Sequence, residues 1–331
     1  MKQLVSLVIL FSIFLASCTN DKAHDKIPDE EEKDNIPNLP SQIEVSFSHN
    51  GQNFKIIPFY EEVLDYTDYV KNNPTQSNPS AYVEKVLEPL KEKSSMDYLN
   101  LDYPFLSSTE IDELEGNTIK LLQNQEQFNE LIKEALIKSA ELLPGGDKNV
   151  YVMTLRPEDK FVVENMKGVF GIVYSENAIF IQIDPSFSED LLKYTVAHEY
   201  HHTINIQTHG DMAYNTILDL LIVEGKADSF ARIVYPEIIA PWTEALSDES
   251  EEKVLEELRA DADSTSTSFK IYNKYFKGNS TKGIPLWSNY KMGYQIIQSY
   301  IENNPDIPIA NWTSLLSKDL LQDTEYNNLS Q

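Results

Sequence analysis

The chain has 331 residues, with 53 acidic against 27 basic side chains and a formal net charge of −26, a field that repels phosphate backbones and makes nucleic acid a poor partner. With 41% hydrophobic and 11% aromatic residues and only 11 glycines, the body can bury a core, which argues against disorder and low-complexity repeats. A single cysteine leaves no intramolecular disulfide and no thiolate-rich zinc site, so any metal must be held by histidines and carboxylates.

Met1-Lys2 is a short basic start, and Leu4 to Leu15 is an apolar run too short to span a bilayer comfortably. Leu15-Ala16-Ser17-Cys18 follows at once and resembles the lipobox of bacterial lipoprotein signals. Residues 1–17 are therefore expected to be removed as a signal peptide, leaving Cys18 to carry the lipid. Residues 18–41, with Asp29-Glu30-Glu31-Glu32 and three prolines, read as an acidic tether. Asp219 interrupts the best later apolar run, so the expected place is the cell envelope, lipid-anchored on the extracytoplasmic face of the membrane.

Ile43, Val45 and Phe47 alternate with polar residues, and Asn50-Gly51 supplies a tight turn, which predicts an opening β-hairpin. Helical spacing follows, notably at Phe128, Leu131, Ile132, Ala135 and Leu136, until Pro144-Gly145-Gly146 stops it. Residues 42–145 thus read as a mixed, mostly helical amino-terminal region without a chemical motif, and 146–331 as the catalytic domain. Tyr151 to Leu155 predicts a strand, and Gly168 to Tyr174 with Ala178 to Asp184 a second hairpin. Ser186 with Glu189 fits a capping box for a helix beginning near Ser188. Asp211 can cap a second helix, whose Ile217, Leu218, Leu221, Ile222 and Val223 cover most of its circumference and predict burial. The acidic stretch Glu244 to Asp263 predicts a solvated amphipathic helix.

The first of these two helices contains His198-Glu199-Tyr200-His201-His202, an HExxH. Residues four apart differ by roughly 40° around a helix, so His198 and His202 can share one ion at about 2.0–2.1 Å. Glu199 can then take a proton from water at the remaining position. Glu224-Gly225-Lys226-Ala227-Asp228 begins 22 residues after His202, and a returning helix brings Glu224 opposite the histidines as a third ligand. Asp228, one turn on, can accept the spare ring N–H of His198, and Gly225 permits close approach of the two helices. The competing arrangement is a buried ion-pair network of Glu224 and Asp228 around Lys226 and Arg232. His201 points roughly 100° from the His202 face and reads as packing, while His24, His49 and His209 have no partner at ligand spacing. No GxSxG, P-loop or GxGxxG occurs.

HExxH with a carboxylate in a later ExxxD helix resembles the gluzincin branch of zinc metallopeptidases. The fuller match, Ala197 to His202 followed by Glu224 to Asp228, resembles a bacterial family of predicted zinc-dependent proteases otherwise called a domain of unknown function. That resemblance spans about residues 130–305 and leaves out the amino-terminal hairpin region. It implies one zinc ion per chain on His198, His202 and Glu224, with Glu199 as base. It also implies Ala178 to Asp184 as the edge strand on which a substrate backbone could pair. Tyr290-Lys291-Met292-Gly293-Tyr294 resembles that family's paired-tyrosine segment, in which a phenol could stabilise the oxyanion.

These readings converge on an α+β fold with a zincin-like metallopeptidase domain and a mostly helical amino-terminal region. The expected function is a membrane-anchored zinc metallopeptidase acting on peptide or protein substrates. The alternative is a peptide- or protein-binding lipoprotein with a structural or vestigial zinc site.

Overall fold

The computed structural model describes residues 39–210 and 214–329. The expected signal peptide, Cys18, most of the expected tether and Asp211 lie outside the described residues.

Among these residues the fold is α+β. The predicted hairpin forms as β1 (Val45–His49) and β2 (Gln52–Pro58), and Asn50 and Gly51 both take positive φ in its turn. Helices α1 (Tyr60–Asn72), α2 (Asn78–Tyr82) and α3 (Glu88–Ser94) follow, with a π-helical turn over Val83–Leu87 joining the last two. Then come α4 (Ile111–Gln123), α5 (Gln125–Leu142), β3 (Lys148–Thr154), the short α6 (Lys160–Asn165) and the hairpin β4 (Val169–Ser175) and β5 (Ala178–Ile183).

The five strands make one mixed sheet in the order β1-β2-β3-β5-β4. The β2–β3 and β3–β5 pairs are parallel, while each hairpin is antiparallel. The sheet runs across the point near Gly145 at which the sequence pattern changes, because Phe54–Pro58 pair with Lys148–Val152. Alternation along each strand sends side chains to two cores. Val150, Val152, Ile179, Ile181 and Ile183 face one core, and Tyr151, Met153, Ala178 and Phe180 face another built with α1 to α4.

The expected edge strand is not at the edge. All six residues of β5 are buried, which demands cover on both faces and both sides, so β5 lies between β3 and β4. The half-exposed β4 takes the edge instead.

Helix α7 (Glu189–His209) starts where Ser188 accepts the Leu191 N–H at 3.3 Å, with Glu189 and Asp190 favourably placed at its positive end. The cap sits two residues later than the Ser186 capping box expected, because the Ser186 hydroxyl is spent on the Asp184 carboxylate. Helix α8 (Ile217–Val234) starts at Thr216 with a reciprocal capping box to Asp219, so Thr216 holds the capping position expected of Asp211. Asp219 is thus an end-cap group rather than a charge stranded in a buried helix, and it also accepts from Ser317 Oγ at 2.6 Å.

The acidic stretch forms α9 (Asp248–Asp261), followed by α10 (Phe269–Phe276), α11 (Ser288–Asn303), α12 (Ile309–Ser314) and α13 (Ser317–Gln322). Gly225 does serve a close approach, but to α11 rather than α7: a Cβ on Gly225 would lie 2.1 Å from the Gly293 carbonyl. This contact fixes α11 directly over α8.

Candidate active site

Helix α7 places His198 and His202 one turn apart, and α8 returns to set Glu224 opposite them. His198 Nε2 lies 2.9 Å from His202 Nε2, and Glu224 Oε2 lies 3.2 Å and 3.4 Å from the two nitrogens. Ligands held at bond lengths near 2.0–2.1 Å around a tetrahedral ion are separated by about 3.3 Å, so these donors fit one small cation. Glu224 Oε2 is buried and meets only these imidazoles among the described residues. Two imidazoles and one carboxylate make a nitrogen–oxygen set suited to zinc, with room for a fourth ligand.

The ion-pair alternative does not form. Lys226 Nζ donates to the carbonyls of Thr313 at 3.0 Å and Leu315 at 2.6 Å, and burial pushes it down to about 8. Arg232 donates to the Ile238 carbonyl at 2.5 Å. Neither cation pairs with Glu224 or Asp228 among the described residues.

Asp228 is fully buried, and its Oδ1 lies 2.9 Å from His198 Nδ1. The same oxygen accepts Trp242 Nε1 at 2.9 Å and the Tyr194 hydroxyl at 3.2 Å. A carboxylate clamped by two further donors holds the His198 ring with Nε2 toward Glu224 and His202.

Glu199 is buried beside the histidines, its Oε2 without a hydrogen bond among the described residues, and strand β4 passes close over it. A Cβ on Gly171 would come within 2.6 Å of the Glu199 carboxylate, so glycine is what admits this side chain. Burial lifts the Glu199 carboxyl above the ordinary range, partly offset by the two imidazoles. Burial would do the same to Glu224, but His202 and His198 outweigh it and take that carboxyl down to about 2. Burial opposes a charge on His198, and Asp228, Glu224 and Glu199 overcome it to raise its proton affinity well above normal. Buried carboxylates that draw protons onto their histidines mark a place that favours a cation.

Tyr290 lines the same cleft, its ring 6.5 Å from that of His198. Burial, and then Glu224, keeps its hydroxyl protonated well beyond the usual range, and Tyr272 of α10 lies beside it. Tyr294, one helical turn further along α11, is not among the residues that line the cleft. His201 is buried against Trp312 and bonds Thr313 Oγ1 at 3.2 Å, away from the donor set.

The cleft has a volume of about 470 Å³. Its charged groups are His198, His202, Glu199 and Glu224, neutral polar ones come from Thr195, Asn215 and Thr265 to Thr267, and much of the remaining wall is aromatic, including Phe161, Trp242, Phe276 and Trp287. Sequence reasoning missed Gly171, Tyr194, Trp242 and Tyr272. A glycine inside a strand pattern was a usable signal for the first; nothing in the spacing pointed to the other three.

A family model described as "Predicted Zn-dependent protease (DUF2268)" matches residues 128–322. The chain belongs to this family. The DUF2268 match takes in both motif helices, β4, β5 and α11, and leaves β1, β2 and α1 to α4 outside it. No curated protein and no solved structure matches the chain.

Proposed function

We propose that this DUF2268 protein is a zinc metallopeptidase of the gluzincin type with a zincin-like domain, lipid-anchored through Cys18 at the outer face of a bacterial membrane. The observation that carries the reading is the convergence of His198 Nε2, His202 Nε2 and Glu224 Oε2 beside the buried Glu199, at the edge of a sheet.

His198, His202 and Glu224 would hold one zinc ion, which when bound acidifies water and polarises a carbonyl. Asp228 keeps the proton of His198 on Nδ1 and so leaves Nε2 as the donor. Glu199, with its raised carboxyl, takes a proton at a carboxylate oxygen and returns it to the departing amine. The Tyr290 hydroxyl, protonated at any working pH, donates toward charge developing on the substrate oxygen. The aromatic walls exclude water from the polar end of the cleft. Among the described residues no helix is long and apolar enough to cross a membrane, so attachment in this reading rests on Cys18.

Glu199→Gln tests the chemistry. The change is nearly isosteric, so zinc per chain and peptide binding should persist while turnover falls at least about a hundredfold. Unchanged cleavage would remove Glu199 as base. A wild-type protein that holds zinc, binds peptide and cleaves nothing in a broad library would instead be a binding lipoprotein. Cys18→Ser with lipid labelling tests the anchor: continued palmitate incorporation would refute it.

A further inference from the structure

The hydrogen-bond phase of β4 decides which of its backbone groups face outward. Asp184 donates to the Gly168 carbonyl at 2.9 Å, and the register pairs Phe170 with Gln182 and Ile172 with Phe180. Those alternate positions bond β5, so Gly171 and Val173 turn their N–H and C=O toward the side that no strand covers among the described residues. Gly171 is also the residue against Glu199. The side chains of β4 alternate too: Val169 and Val173 pack with the core on the α7 side, while Ile172 and Tyr174 pack with the opposite core. The cleft is lined by Gly171 and Val173 on one face and by Phe170 and Tyr174 on the other, so it wraps around the free edge.

On that second face the wall is completed by a segment that carries no motif. Tyr103 meets Phe170 edge-on with ring centroids 5.3 Å apart, and the Tyr98 hydroxyl donates to the Tyr174 carbonyl at 3.3 Å. That carbonyl sits at the irregularity of the β4–β5 ladder, between Val173 and Ser175. Gln182 Nε2 donates to the Pro104 carbonyl at 3.2 Å and pins the segment to the sheet. Among the described residues no charged side chain lines this face of the cleft.

We propose that Tyr98 and Tyr103, with Phe170 and Tyr174, form a specificity subsite for a large apolar side chain of an extended peptide paired along Gly171 and Val173. The inference rests on the peptidase reading. An extended peptide on this edge projects successive side chains to opposite faces, so residues next to the one beside Glu199 point at the aromatic wall. The substrate class is therefore peptides with aromatic or large aliphatic residues at that alternate position, and acidic residues are disfavoured there by an uncharged wall in a strongly anionic protein. Two of its four residues, Tyr98 and Tyr103, come from before residue 128, outside the family match, while Phe170, Tyr174 and the reacting groups lie inside it.

The test uses the zinc-loaded protein and blocked hexapeptides varied at each position among Phe, Leu, Ala and Asp. Wild type should favour Phe or Leu over Ala by about tenfold or more in kcat/KM at one position, expressed mainly in KM. Binding to the Glu199→Gln protein, followed by calorimetry, should show the same order. Tyr103→Ala and Phe170→Ala should each erase that preference and leave the others, while Tyr103→Phe should keep it. Absence of any apolar preference, or one that survives both alanine variants, overturns the subsite and leaves the peptidase reading standing. Peptides neither bound by Glu199→Gln nor cleaved by wild type would overturn both.

Discussion

Gly225 of α8 and Gly293 of α11 meet backbone to backbone: a Cβ on Gly293 would lie 2.0 Å from the Leu221 carbonyl oxygen and 3.0 Å from the Gly225 nitrogen. Neither residue belongs to the donor set, yet each lies within one helical turn of a residue that lines the cleft. Gly225 follows Glu224, and Gly293 lies three residues past Tyr290, so the crossing of these helices sets the distance between the carboxylate and the phenol.

Gly293→Ala should therefore force α8 and α11 apart. Overpacking of this kind costs about 1–3 kcal/mol, and here it also moves Glu224 relative to the histidines. The melting temperature should fall and chelator competition should show weaker metal retention. Gly116→Ala is the matched control: its Cβ would meet nothing within 4 Å, so a gain of about 0.5–1 kcal/mol is expected. Equal melting temperatures for Gly293→Ala and wild type would mean that the crossing is loose enough to admit a methyl group.

Asp228→Asn should weaken zinc without removing a donor. The amide no longer offers a charged acceptor to His198 Nδ1, and losses at such supporting carboxylates run about 10 to 100-fold in affinity or activity. His198→Ala should be worse in the same graded chelator series. An Asp228→Asn protein that holds zinc as tightly as wild type would refute the support role.

The two tyrosines of α11 should separate. Tyr290→Phe keeps the ring and removes a donor in the cleft, so kcat should drop about 100 to 1,000-fold with metal content unchanged. Tyr294→Phe should leave kcat within about twofold of wild type, since that residue does not line the cleft. The reverse ranking, read from initial rates on one peptide, would exchange their roles.

Lys148 gives a pH signature of stability. It is buried with its Nζ on the Glu176 carbonyl at 2.7 Å, and burial pushes its pKa from 10.5 to about 8. Between those values the unfolded chain binds a proton that the native chain does not, so stability from this group rises with pH across that window. Below about pH 8 both states are charged and the burial penalty is constant at roughly 3 kcal/mol. Lys148→Met should remove this rise, so urea unfolding of the variant and wild type should converge from pH 8 to 10.5 apart from a fixed offset for the lost hydrogen bond. Parallel profiles would sink the assignment.

What could be read from the sequence follows the range of the interactions involved. Both hairpins, the helix after Ser188 and the HExxH spacing are set within a few residues, and periodicity or turn chemistry exposes them. Glu224 and Asp228 were legible because they share one buried helix, at one-turn spacing, a short turn away from the histidines. The edge position of β4 was not legible, since it depends on β3 lying beside β5 and on β2 beside β3, pairings that no local pattern encodes. The start of α8 was misplaced because Asp211 and Thr216 are both good caps, and only Asp219 three residues on selects the second. Trp242 and Tyr272 reach the site through loops and helix packing, which leave no trace in spacing.

The pairing of β2 with β3 also governs how the chain can be cut. Asn53 and Asp147, bonded at 2.8 Å and 3.1 Å, are 94 positions apart, so the middle of the sheet closes only after everything between them has been synthesised. A fragment beginning at residue 128 would keep every residue matched by the family yet leave β3, with its run of Val150, Tyr151, Val152 and Met153, as a bare apolar border. Such borders recruit other chains. The aggregation that a minimal fragment should show is thus a property of where the ladder was severed, and solubility should return when the residues from Leu39 onward are supplied, even as a separate polypeptide.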